Sequence, residues 1–272
     1  MAGRALPGFG LSIGVTLAWL GLIVLIPLAA LALKPWELGV AGIWAVLTQE
    51  RVAAALRLSF GAALLAALAS LPVGLLLAWV ITRYRFAGRK LLDALVDLPF
   101  ALPTAVAGLA LTALFATNGW FGEPLAAWFG WRIAYTPAGV AVALFFVALP
   151  FVVRTVEPVL RDLAADAEEA AATLGATRAQ TVLRVILPAL APALLTGFGL
   201  GFARAVGEYG SVIFIAGNMP MVSEIAPLLI VVQLEQFNYA AAAAIGLAML
   251  LLSFALLLAL AGLRLALRRN AA

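Results

Sequence analysis

Long apolar runs separated by short polar segments dominate this chain. Six runs reach or approach the roughly twenty residues a helix needs to cross a hydrocarbon core about 30 Å thick. They cover Leu11–Leu33, Leu56–Ile81, Leu98–Thr117, Pro137–Val153, Ala189–Ile215 and Tyr239–Leu263. A seventh apolar run, Ile225–Val232, is too brief to span and is expected at the interface or re-entering it. The pattern predicts an all-α, polytopic membrane protein of about six transmembrane helices, folded as one domain over residues 1–272. The first run follows Arg4 and contains Ala30-Leu31-Ala32, which imitates a signal-peptide cleavage site. It is too long for an ordinary signal-peptide core and five spans follow, so it reads as a retained first helix.

Composition narrows the class. The chain is 65% hydrophobic and 11% charged, and it has no Cys and no His. Cys/His metal sites, His-based triads and disulfides are therefore excluded. Neither a catalytic cluster nor a phosphate-cradling G-x-x-x-x-G-K-[ST] loop is present, so no enzyme activity and no bound cofactor is expected of this chain. The net charge of +4 reflects topology rather than nucleic-acid binding. Arg4, the cluster Arg83, Arg85, Arg89 and Lys90, the group Arg154, Arg161, Arg178 and Arg184, and the tail Arg264, Arg268 and Arg269 fall on one side of the predicted bundle. Lys34, Arg51, Arg57 and Arg132 fall on the other. The positive-inside rule then puts both termini in the cytoplasm. Most of the seven Trp residues lie near predicted interfaces, where amphipathic rings anchor.

Between the fourth and fifth spans lies a polar stretch of about thirty residues. Asp162 to Ala172 is rich in Ala, Leu and Glu, which favour helix. Asp162, Asp166, Glu168 and Glu169 stand toward its start, where the helix dipole favours negative charge. Gly175 fits a helix C-cap, and a second short helix from Thr177 to Val185 is expected to run into Pro188. The plain alternative is a solvated linker whose charges only satisfy topology.

Two other features break the apolar pattern. Leu98 to Gly108 carries Pro99 and Pro103, and Leu187 to Pro192 carries Pro188 and Pro192. Prolines free backbone groups that must find partners inside the protein or line a wet cavity, so these two spans belong to the bundle interior. Arg204 and Glu208 are ionisable residues within a span, and their i,i+4 spacing puts them on one helix face. They read either as a gate or anion-attracting patch, or as a mutually neutralised pair. Glycines and alanines around them permit close helix approach or subunit contact. Asp93 and Asp97 read as a solvated helix face near Arg89 and Lys90.

Glu169, Ala170, Ala171 and Gly175, followed by Val185, Leu187 and Pro188, resemble the E-A-A loop of ABC-importer permeases, with Val at the usual Ile position. Gly207-Glu208-Tyr209-Gly210, Gly217-Asn218-Met219-Pro220 and the run from Met219 to Tyr239 are similar to the sulfate/thiosulfate branch of that family, in particular its T-type permeases. The resemblance implies a type I importer fold of the MetI-like kind in a bacterial inner membrane, with a coupling loop over about residues 155–188. It implies that Glu169, Ala170, Ala171, Gly175, Leu187 and Pro188 dock on a dimer of separate ATP-binding cassette subunits. It also implies a homologous W-type permease partner, a sulfate- or thiosulfate-binding protein, and sulfate or thiosulfate as cargo. Arg204, Glu208, Ser211 and Thr104 are the candidate pathway or gate residues. A molybdate or tungstate permease is the nearest alternative. A stand-alone secondary transporter is the more distant one, because it needs no docking loop.

Overall fold

The computed structural model describes residues 9–163 and 165–270. Arg4 lies outside the described residues, and so do the side chains of Asp166, Arg264, Arg268 and Arg269, which bear on several of the expectations above. The described elements are helices: α1 (Phe9–Thr48), α2 (Glu50–Arg83), α3 (Arg89–Val96), α4 (Leu98–Ala101), α5 (Thr104–Phe115), α6 (Gly122–Phe129), α7 (Pro137–Asp162), α8 (Ala165–Thr173), α9 (Arg178–Val206), α10 (Val212–Ile215), α11 (Ala226–Glu235) and α12 (Tyr239–Asn270). Among them α1, α2, α7, α9 and the Tyr239–Gly262 part of α12 are long and apolar enough to cross a membrane.

The third expected span is not one helix. Leu98–Thr117 divides into α4 and α5, with Leu102 extended at φ −83° and ψ 137°. The ring of Pro103 disfavours the helical conformation at the residue before it, and its nitrogen has no hydrogen to donate. The fifth expected span also ends early, at Val206, with Gly207 to Ser211 forming a turn before α10. Pro188 does the opposite of starting a new segment. A π-helical turn over Val182–Ile186 carries the chain through it, with the Leu187 N–H reaching back to the Val182 carbonyl, so α9 runs on as one helix.

Helices α2, α7 and α9 pack on one another as the central trio. Small residues make this possible. Ala63, Ala67 and Ala78 of α2 and Ala143 and Ala148 of α7 are fully buried. A Cβ at Gly74 would lie 2.7 Å from the Val152 Cγ1, and one at Gly197 would lie 2.8 Å from the Val152 Cα. No side chain fits between these backbones. Helix association within lipid depends on such close packing, because lipid tails are as apolar as leucine. Among the glycines near Arg204, Gly201 meets Ala148 of α7 in the same way, whereas a Cβ at Gly207 would meet nothing within 4 Å. Outside the trio, α11 is a ten-residue helix packed on α12 and α2, in keeping with a run too short to span. Its first N–H, at Ala226, donates to the Ser59 hydroxyl on α2 at 2.8 Å. Trp36, Trp44, Trp120, Trp128 and Trp131 are exposed.

Arg154 corrects the reading of Asp93 and Asp97 as a solvated face. Its guanidinium forks onto Asp97 (Nε to Oδ1 2.8 Å, Nη2 to Oδ2 2.7 Å). It also donates to the Asp93 carboxylate at 2.7 Å and the Asp93 carbonyl at 3.0 Å, and to Glu157 at 2.6 Å. Glu157 is buried and also accepts from Arg161. One planar cation thereby ties α3 and the start of α4 to α7, a geometry that lysine cannot copy. Replacing Arg154 by Ala is expected to lower stability by roughly 1.5–3 kcal/mol, the range for hydrogen bonds to charged groups, with the low end favoured because both Asp side chains are partly exposed. Lysine at 154 is expected to recover less than half of the loss. Thermal unfolding of the detergent-solubilised protein measures both variants.

Candidate functional site: the polar loop and the buried charge pair

The polar stretch folds as two helices joined by a tight cap. Asp162 closes α7 rather than opening the next helix, so the acidic start of α8 does not include it. The turn that ends α8 has the Gly175 N–H on the Ala172 carbonyl (3.0 Å) and the Ala176 N–H on the Ala171 carbonyl (3.0 Å). This double closure requires positive φ at the residue between, and Gly175 has φ +81°. A Cβ there would meet nothing within 4 Å, so backbone conformation alone demands glycine. Thr177 then caps α9 reciprocally. Its hydroxyl accepts from the Gln180 N–H at 3.3 Å, and its own N–H donates to the Gln180 Oε1 at 2.8 Å.

The two adjacent glutamates of α8 point to different tasks. Glu168 pairs with Arg83 at the far end of α2, Nη2 to Oε1 2.5 Å, while the same guanidinium lies over the Trp79 ring. Glu169 and Ala170 are exposed, and Leu174 is 87% exposed, an apolar side chain with almost no contact inside the chain. Ala171 and Leu187 are half-buried and Pro188 is exposed. The loop is therefore fastened on one side and open on the other. Sequence reasoning missed the Arg83–Glu168 fastening. The doubled Glu was the available signal, since neighbouring helical positions diverge by about 100°.

The second candidate cluster gathers at the C-terminal end of α9. Arg204 and Glu208 form an ion pair, Nη1 to Oε2 2.6 Å, with the carboxylate side chain 2% exposed and the guanidinium side chain 39%. Glu208 lies beyond the helix end at Val206, in the following turn, and not on a shared helix face. Its second oxygen accepts the Ser211 N–H (2.9 Å) and the Ser211 hydroxyl (3.0 Å). Ser211 is fully buried, so its hydroxyl hydrogen is committed to Glu208. Thr104, half-buried at the start of α5, packs on Gly210, and Gly108 packs on the Ser211 backbone; a side chain at either glycine would overlap its neighbour. The structure thus brings Arg204, Glu208, Ser211 and Thr104 to one junction between the turn and the broken helix.

A third pair escaped the sequence. Arg51 forks onto Glu224, Nε to Oε2 2.7 Å and Nη2 to Oε1 2.6 Å, with Glu224 buried. The partners are 173 residues apart, and nothing in the local pattern links them.

Residues 70–269 match the model of a family described as the binding-protein-dependent transport system inner membrane component. The chain is 50% identical over 254 residues to the sulfate transport system permease protein CysT of Salmonella typhimurium, covering 93% of this chain and 91% of that one. It is equally similar to the Escherichia coli protein of the same name, and 49% identical over 244 residues to the one from Synechocystis, covering 90% and 85%. Its fold matches a chain in the crystal structure of a bacterial alginate ABC transporter bound to its periplasmic protein, with TM-score 0.76, 17% identity and 93% of both chains covered. A second match is to a chain of the inward-facing MetNI methionine ABC transporter, with TM-score 0.55, 22% identity and coverage of 85% and 96%. At such identities the structural matches speak for the fold alone.

Because Glu208 accepts from three groups, the pair is expected to behave asymmetrically. Arg204→Ala leaves a buried carboxylate without its cation; the cost lies below the roughly 3–5 kcal/mol of a fully buried broken pair, since Arg204 is part-exposed. Adding Glu208→Gln to it is expected to restore most of that loss, as the amide oxygen still accepts from Ser211. Adding Glu208→Ala is not, because Ser211 loses its acceptor. Unfolding midpoints of the three variants distinguish these outcomes.

Proposed function

Since this chain belongs to the family of binding-protein-dependent transport system inner membrane components, we propose that it is the membrane-spanning permease subunit of an ATP-driven sulfate importer. The observation that carries the reading is the loop around α8. One side is fixed to the bundle by Arg83–Glu168, and the other presents Glu169, Ala170 and Leu174 outward. A rigid helical knob of this kind suits a groove on a separate ATPase and transmits displacement into α7 and α9, which flank it in the chain. With no phosphate-cradling loop of its own, the chain contributes no bond chemistry. Sulfate, with thiosulfate as a related cargo, is favoured over molybdate or tungstate by the names of relatives that match nearly the whole chain. A secondary transporter would leave the knob without a purpose.

In this reading a binding protein delivers the anion to the face that carries α11. A second, homologous permease completes the pathway, and ATP-driven closure of two ATPase subunits on the loops switches its access. Arg204 is the member of its cluster best able to meet an anion, because its guanidinium remains part-exposed while Ser211 is consumed by Glu208. The distribution of basic residues supports cytoplasmic termini and a cytoplasmic loop.

Two expectations test this. Gly175→Val forces a β-branched residue into positive φ at a cost of roughly 1–2 kcal/mol, and Glu169→Lys reverses an outward charge. Both variants are expected to reach the membrane at near-normal levels, to abolish uptake of radiolabelled sulfate in a permease-deletion strain, and to reduce co-purification of the ATPase. Normal uptake with intact ATPase association in both would remove the docking role, and competition by molybdate as strong as by unlabelled sulfate would reassign the cargo. For topology, a cysteine introduced at Arg178 of this cysteine-free chain is expected to resist a membrane-impermeant thiol reagent applied from outside, whereas one at Met221 is expected to react.

A further inference from the structure

Arg57 sits seven residues into α2, about 10 Å along the helix from its first residue at 1.5 Å per residue. It is exposed. The ion pairs among the described residues engage Arg51, Arg83, Arg154, Arg161 and Arg204, but not Arg57. It opens onto a groove of about 470 Å³ between α2 and α12, whose other walls are Leu56, Phe60, Leu252, Ala255, Leu256 and Ala259. Arg57 is the one polar side chain in that lining.

Arg57 stands at the start of the apolar run Leu56–Ile81, so its long side chain can reach the interface, where a guanidinium without an ion-pair partner meets anionic head groups. A small hydrated dianion would need several hydrogen-bond donors to replace its water, and six apolar walls supply none. A molecule with an anionic head and a hydrocarbon tail satisfies both parts of the groove. On the same two helices Leu64 and Leu65 of α2 and Leu251 and Phe254 of α12 are exposed, a lipid-facing composition.

We propose that this groove is a binding site for an anionic phospholipid, with its phosphate on Arg57 and an acyl chain along Leu56, Phe60, Leu252, Ala255 and Leu256. No residue of the Arg204 junction or of the α8 loop lines the groove, and its occupancy does not depend on what the protein transports. The lipid bridges α2, a member of the central trio, to α12 on the periphery.

The test uses the full chain, extracted with whatever subunits accompany it and equilibrated with mixed micelles of phosphatidylglycerol and phosphatidylcholine in equal amounts. Native mass spectrometry then reads the retained lipids. The wild type is expected to retain phosphatidylglycerol about five-fold over phosphatidylcholine, equal to about 1 kcal/mol for one basic residue near the surface. Arg57→Gln is expected to abolish the preference and Arg57→Lys to keep it, which separates charge loss from misfolding. Ala255→Trp fills the groove without touching the charge and is expected to reduce retention of both lipids. An unchanged phosphatidylglycerol preference in Arg57→Gln overturns the proposal. So does loss of a protein subunit instead of lipid in either Arg57→Gln or Ala255→Trp, which would make the groove a protein contact. A raised half-saturation for sulfate in Arg57→Gln with lipid retention intact would place Arg57 on the pathway and overturn it equally.

Discussion

A helix in hydrocarbon gains little by burying leucine against another helix, so what holds α2, α7 and α9 together is how near their backbones can come. Gly74 and Gly197 both press on Val152, and Gly201 on Ala148, at separations that leave no room for a Cβ or barely admit one. Dispersion grows steeply at such range, and many small contacts add up. Everything else in the chain is placed relative to this trio: α12 and α11 on one flank, α5 and α10 on another, and the polar loop beyond the ends of α7 and α9.

Arginine ion pairs, forked at Arg154 and Arg51 and single at Arg83, then fix the pieces that dispersion cannot. Arg154 secures α3 and α4, Arg83 secures α8, and Arg51 secures the segment leading into α11. In each case the cation belongs to α2 or α7, and the carboxylate belongs to a short or irregular element. The planar guanidinium imposes direction as well as attraction. Short helices that could not stand alone therefore acquire defined positions at both ends of the bundle.

The broken backbone around Leu102 and Gly207 finds its partners within the chain. The break at Leu102 and Pro103 leaves α5 beginning beside the turn from Gly207 to Ser211, and Glu208 supplies that turn with its missing acceptor. Non-helical backbone at membrane depth is tolerated where protein or a wet cavity satisfies it. The junction meets this condition with a buried carboxylate that serves both a cation and two donors. The same economy appears in the loop, where the cap at Gly175 and the box at Thr177 satisfy the helix ends on either side of an exposed knob.

The sequence by itself determined the helical membrane class, the loop and its cap. Those depend on hydrophobic run length, on the conformational freedom of glycine at Gly175, and on local spacing along a single helix. It also placed the prolines that interrupt two spans, but not their effects. Leu102 before Pro103 is extended and ends a helix, while Leu187 before Pro188 stays helical behind a π-helical turn, and run length cannot tell these apart. Which charges meet was decided only by tertiary structure. Asp93 and Asp97 read as solvent-facing until Arg154 reached them from α7, and Arg51 found Glu224 across 173 residues. An ion pair between distant residues depends on where two helices cross, and no local pattern encodes that crossing.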